Sequence, residues 1–184
     1  CPPNLARLLA SFGQYVYSTG SKEAAVHLYA AGRASLAVDG KSVELVQKTG
    51  YPWKETVRIH VRPETPLAFT LALRIPGWCR KPKLAVNGRN VSLKKVLRKG
   101  YARIQRTWQT GDRVELALPM PIERIQAHPS VRHDAGQVAL QRGPVVYCLE
   151  ETDNGPDLAD LVLPRTAKVL TRRGPKALGS VPVL

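Results

Sequence analysis

This sequence is short of the residues that staple small proteins. It has three cysteines, Cys1, Cys79 and Cys148, odd in number and far apart. That excludes a disulfide framework and fits a reducing compartment such as the cytoplasm. No CxxC pair occurs, so this chain alone does not carry a complete zinc site. No apolar run approaches the roughly 20 residues of a membrane span, and no basic-then-apolar signal segment opens the chain. A phosphate loop, a GxSxG elbow and a zincin helix are all missing, which leaves the common nucleotide-binding and hydrolase classes without support. There is no internal repeat, and no opening methionine. The latter leads to the expectation that these 184 residues are the back portion of a longer protein.

Acidic residues are also scarce, 14 against 28 lysines and arginines, for a net charge of +14. Such a balance attracts nucleic acid, anionic membranes or acidic polysaccharide. The cations are scattered, with modest density at Arg80-Lys81-Pro82-Lys83, Lys94-Lys95 and Arg172-Arg173. Without a block of five or more like charges, the pattern reads as a basic surface rather than a nucleic-acid tail. Hydrophobic residues make up 43%, enough for a core.

What is present is a change of period. Leu5, Leu8, Leu9, Phe12 and Val16 recur at offsets of three and four, which predicts one amphipathic helix over residues 5 to 17. Pro2 and Pro3 are tolerated at its start, Asn4 is its expected cap, and Gly20-Ser21 its end. From residue 23 the period becomes two. Strands are predicted at 24–30, at Leu36 and Val38, at Val43 and Leu45, at 57–61, at 67–75, at 84–86, at 101–108 and at 114–118. Asp39-Gly40 and Asn87-Gly88 are hairpin signals, and Thr110-Gly111-Asp112 is a turn. A short strand at 122–127 and two strands meeting at Gly143-Pro144 follow. Strands at this spacing argue for an antiparallel β-sandwich rather than βαβ units. A single apolar-faced helix ahead of it lacks a helical partner. Leaving Leu5, Leu8, Leu9 and Phe12 in water forfeits roughly 1.5–3 kcal/mol each, so the isolated chain is expected to aggregate or to leave residues 1 to 20 open to protease.

The opening run Cys1-Pro2-Pro3-Asn4, continuing Leu5-Ala6-Arg7, resembles the Cys-Cys-Pro-Pro-Asn motif of the family-127 glycoside hydrolases, the β-L-arabinofuranosidase-like enzymes. Four further stretches resemble that family's downstream β region in order and spacing: Gln-Lys-Thr-Gly-Tyr-Pro-Trp at 47–53, Leu-Arg-Ile-Pro-Gly-Trp-Cys at 73–79, Val86-Asn87-Gly88, and Arg-Gly-Pro-Val-Val-Tyr-Cys-Leu-Glu at 142–150. The likeness spans about residues 1 to 151. It implies a site with zinc held by one Glu and three Cys, the first cysteine of the adjacent pair acting as nucleophile, and a separate Glu as acid/base. Cys1 matches the second cysteine of the pair, a zinc ligand. No catalytic residue maps onto this chain. The implied reaction is retaining hydrolysis through a glycosyl thioether, a sulfur version of the two-carboxylate scheme.

Other residues have plainer readings. Trp53 and Trp78 suit either a sugar-stacking platform or core packing, and packing is the better account on a small β domain. His27, His60, His128 and His133 are not spaced as a metal cluster. Cys79 and Cys148 read as structural, buried thiols. Glu150 and Glu151, adjacent on a strand, would face opposite sides and cannot share a bond.

The expected architecture is therefore mainly β. Residues 1–20 are the last helix of an α/α barrel, 21–120 a jelly-roll-like antiparallel sandwich, and 121–184 the start of an incomplete second β domain. The resemblance implies that the parent releases β-L-arabinofuranose or a related sugar and that this portion alone is inactive. Implied partners are an arabinose-containing oligosaccharide and the upstream barrel, with a contribution to homo-oligomerisation; neither nucleic acid nor membrane is expected. A non-catalytic carbohydrate-binding or structural sandwich is the alternative.

Overall fold

The computed structural model describes residues 1–176 and 179–184 and divides into two compact units, Cys1–Pro119 and Met120–Leu184. The first begins with helix α1 (Pro2–Ser11) and a single turn, α2 (Gly13–Val16). The helix thus stops short of the predicted 5–17. Tyr17 is already extended, with φ −132° and ψ 155°, and residues Tyr17–Gly20 form strand β1 against β2 (Glu23–Val26). Tyr17 and Thr19 favour strands, and pairing satisfies backbone groups that one more helical turn would have left frayed. Asn4 is not the cap either. Cys1 takes that position, and Asn4 lies inside the first turn, where its Oδ1 accepts from Arg7 Nη1 at 3.0 Å.

The strands that follow are β3 (Gly32–Val38), β4 (Lys41–Thr49), β5 (Thr56–Pro63), β6 (Leu67–Arg74), β7 (Lys83–Val86) and β8 (Arg89–Val91). After the short helix α3 (Leu93–Val96) come β9 (Leu97–Arg98), β10 (Tyr101–Trp108) and β11 (Asp112–Ala117). They form two sheets, ordered β1-β2-β6-β10-β9 and β3-β4-β5-β11-β7-β8, and every pairing is antiparallel except β2 with β6. Alternation carries Val43, Leu45, Val57, Ile59, Val61, Val114 and Leu116 of one sheet to the inside, where they share a core with Phe69, Leu71, Leu73, Ile104 and Trp108 of the other. The chain is a β-sandwich here, as its period of two requires. The hairpin signals also hold. Asp39 and Gly40 have φ of 52° and 70°, and Asn87 and Gly88 have 50° and 79°, the positive pair of a type I′ turn.

The second unit contains β12 (Ile122–Ile125), β13 (Ala139–Arg142), β14 (Val145–Tyr147), a turn of helix α4 (Glu151–Asn154), and the two-residue pair β15 (Arg172–Arg173) and β16 (Pro182–Val183). β13 and β14 meet at the bend foreseen at Gly143-Pro144. Gly143 has φ +60°, and a Cβ there would come within 2.7 Å of the Met120 side chain, so two constraints select glycine.

His60, at the centre of β5, faces outward between Val46 and Arg113 on the neighbouring strands. Burial lowers its pKa, and Lys48, Arg62 and Arg113 lower it further. A base whose folded pKa is depressed binds fewer protons folded than unfolded. Its contribution to stability is therefore present above the unfolded value near 6.5 and is lost as pH falls from there through the lower folded value. The His60 C2–H titration is expected to have its midpoint below ~6.5 and to move back part of the way in high salt, which screens the three cations. A midpoint at or above the ordinary value would contradict this geometry.

Candidate functional site

Cys1 is exposed at the N-cap of α1, and its carbonyl accepts from the amides of Asn4 and Leu5 at 3.1 and 3.3 Å. The thiol stands at the positive end of the helix, the end that favours a thiolate ligand. It is one soft donor of the kind zinc takes, and zinc takes four. Among the described residues no group of three or more His, Cys, Asp and Glu side chains is placed to hold a metal. By itself Cys1 would therefore supply one of the four ligands that a zinc ion takes. Beside it the apolar stripe of α1 is open: Leu5, Leu8, Leu9 and Phe12 are 59, 49, 68 and 41% exposed, and no residue of the helix is buried.

Two of the segments that carried the family likeness, 47–53 and 73–79, meet in one aromatic corner of the sandwich. Tyr51 shares a hydrogen bond with Trp78, its pKa is raised chiefly by burial, and its ring meets Tyr29 edge-on at 5.9 Å and 77°. The Tyr29 hydroxyl donates to the Arg74 carbonyl, and burial pushes its pKa well above the phenol range. Trp78 packs against the core and Trp53 is half-buried. The corner thus uses Trp78 as packing tied by its N–H, not as a free stacking face. Tyr29 was missed from sequence because the strand predicted at 24–30 ends at Val26, and a lone tyrosine beyond it carries no periodic signal.

Gln47 sits in the adjoining core, 2% exposed. Its Nε2 donates to Tyr17 Oη at 2.9 Å and to the Leu28 carbonyl at 3.2 Å, joining β4 to β1 and the segment after β2. These two bonds of Nε2 resist strand slippage, since breaking either would leave a buried donor unpaired at about 1–3 kcal/mol, whereas Gln47 Oε1 is buried without a partner among the described residues.

The remaining candidates are structural or isolated. His27 lies between Tyr101 Oη and Ser18 Oγ, each at 2.8 Å. His128 Nδ1 accepts from the Ser130 amide, and His133 is exposed in a short 3-10 turn. Cys79 is buried as expected, and desolvation raises its pKa. Cys148 is not; it is exposed just past the end of β14, where the short strand no longer covers it. Glu150 and Glu151 lie at the start of α4 rather than on a strand, because Glu150 caps that turn, and both face solvent. The thiol environments predict that a disulfide reagent titrates Cys1 and Cys148 rapidly in the folded chain and Cys79 only after unfolding. Three equally fast thiols would contradict the placement of Cys79.

Comparison with known proteins places these features. Residues 23–120 match the family model described as the β-L-arabinofuranosidase GH127 middle domain, and residues 122–182 match the glycoside hydrolase family 127 C-terminal domain. A curated relative, the non-reducing end β-L-arabinofuranosidase of Bifidobacterium longum subsp. longum, is 39% identical over 166 residues, which cover 86% of this chain and 24% of that protein. Among solved structures, a GH127 β-L-arabinofuranosidase from Geobacillus stearothermophilus T6 superposes with a TM-score of 0.94 at 55% identity, covering 99% of this chain and 29% of that one. A second GH127 β-arabinofuranosidase superposes at 0.78 with 36% identity, covering 83% and 26% respectively. The chain spans about a quarter of the length of the curated relative it matches.

Proposed function

Because this chain belongs to glycoside hydrolase family 127, we propose that it serves as the non-catalytic β portion of a zinc-dependent retaining glycosidase that releases β-L-arabinofuranose. The observation that carries the reading is the superposition on the Geobacillus enzyme over 99% of this chain at 55% identity. Cys1 offers its exposed thiol as one zinc ligand, and α1 holds it at the helix N-terminus. The open stripe of Leu5, Leu8, Leu9 and Phe12 packs against the catalytic barrel, which supplies the nucleophilic cysteine, the acid/base Glu and the other ligands. When bound, zinc keeps cysteine sulfur as thiolate at neutral pH. The aromatic corner and the Gln47 bonds tie the strands of the sandwich to one another.

The test is release of L-arabinose from a β-L-arabinofuranoside by the full-length protein, with zinc measured in the same sample. Release that stops on chelation, with no release by the 184-residue chain alone, is the expected result. A full-length protein that holds no zinc, or that leaves arabinofuranosides intact, would overturn the proposal.

A further inference from the structure

Between Glu64 and Asp112 the sequence contains eleven lysines and arginines and no acidic residue. The fold gathers most of them on one border of the sandwich. β8 is the edge of the six-stranded sheet and β9 the edge of the five-stranded one, and only Ser92 and the four residues of α3 join them. Leu93 and Val96 of α3 pack on the core, so Lys94 and Lys95 point away from it and are exposed. On one side of this short bridge, Arg89 opens β8 and Lys83 opens β7, with Lys81 just before. On the other, Arg98 ends β9, and Lys99 occupies its hairpin turn at φ 49°.

All seven are exposed, and among the described residues none meets a carboxylate within ion-pair distance. This differs from the outer face of the same sheet, where Glu44 bridges Arg33 and Arg62, and Glu115 pairs with Arg58. An open cleft of about 320 Å³ runs into the border between Pro82, Lys83, Asn90, Val91 and Leu93. It offers an amide and an apolar floor beside the charges.

We propose that this border binds an anionic polysaccharide, a polymer of uronate sugars on which the arabinofuranosyl groups are carried. The inference rests on the glycosidase reading for its choice of polymer. Unpaired lysines suit carboxylates spread along a chain, since each is a compact, mobile point charge. From Arg80 to Gly100 the segment has no aromatic side chain, so the stacking platforms on which single-stranded nucleic acid depends are missing from it. The Asn90 amide and the Ser92 hydroxyl supply partners for sugar hydroxyls.

The experiment uses the full-length protein with polygalacturonate as probe. Binding by calorimetry is expected to weaken about tenfold or more between roughly 50 and 200 mM salt, and to fall by at least about tenfold in the K94E/K95E/K99E triple variant. A control triple, K22E/K41E/K48E, changes net charge equally and is expected to bind nearly as wild type. The border variant should also raise KM for arabinofuranosyl groups carried on a polyuronate and leave kcat/KM for a small neutral arabinofuranoside unchanged. Equal losses in both triples, no binding at low salt, or tighter binding of single-stranded DNA would each overturn the proposal. If no arabinofuranoside is cleaved, the glycosidase reading fails by itself, because the binding measurement does not involve hydrolysis.

Discussion

On the proposed zinc site, replacing Cys1 by alanine in the full-length protein is expected to cut zinc affinity by at least about 100-fold, given that removing even a residue that only hydrogen-bonds a metal ligand commonly costs roughly 10–100-fold. Activity should fall with it. If Cys1 is a zinc ligand as proposed, its loss would leave three ligands and a position open to water, and the metal would be held less firmly. Zinc content after dialysis against a weak chelator reads this directly, apart from turnover. The variant should fold normally, since Cys1 is exposed and makes no side-chain hydrogen bond to the helix. Unchanged zinc retention would remove Cys1 from the ligand set.

The largest effect on stability is expected at Trp108. This side chain is fully buried near the end of β10, its indole N–H donates to the Phe69 carbonyl at 3.0 Å, and its ring lies 5.9 Å from that of Phe69. The Arg106 guanidinium covers it at 5.1 Å. Trp108→Ala should cost about 3–5 kcal/mol, the sum of lost apolar burial and the cavity left behind. Trp108→Phe keeps most of the volume and leaves the carbonyl without its partner, so its cost should be smaller, about 1–3 kcal/mol. Urea midpoints for the two variants check both the magnitude and the order. A tolerated alanine would mean that the two sheets close over the gap.

Asp112 shows how turn chemistry and tertiary contacts combine. It begins β11 after the Thr110-Gly111 turn, and the residue is 8% exposed. It accepts from Asn87 Nδ2 at 2.6 Å and from the Gln109 amide at 2.9 Å, while Asn87 Oδ1 accepts from the Arg113 amide at 2.8 Å. Two turns separately legible in the sequence, Asn87-Gly88 and Thr110-Gly111-Asp112, are therefore bonded to each other. Nothing in either turn's residues announces that pairing, because it depends on β7 lying beside β11.

Local chemistry settled a great deal before any contact was formed. Alternation placed Val57, Ile59 and Val61 inward and Arg58, His60 and Arg62 outward. Asp39-Gly40 and Asn87-Gly88 specified their hairpins, because few residues other than glycine and asparagine or aspartate accept a positive φ cheaply. Motif residues from Cys1 to Glu150 pointed to the family. The tertiary structure alone decided where the opening helix stops, since pairing with Glu23–Val26 drew Tyr17–Gly20 into a strand. It also decided that Cys79 is covered and Cys148 is not, that Tyr29 and Tyr51 join Trp78 in one corner, and that the lysines and arginines of residues 81–99 line the edges of two sheets away from the carboxylates. Periodicity and turn signals act within a few residues and survive in the sequence. Burial and long-range pairing depend on what the rest of the chain brings alongside.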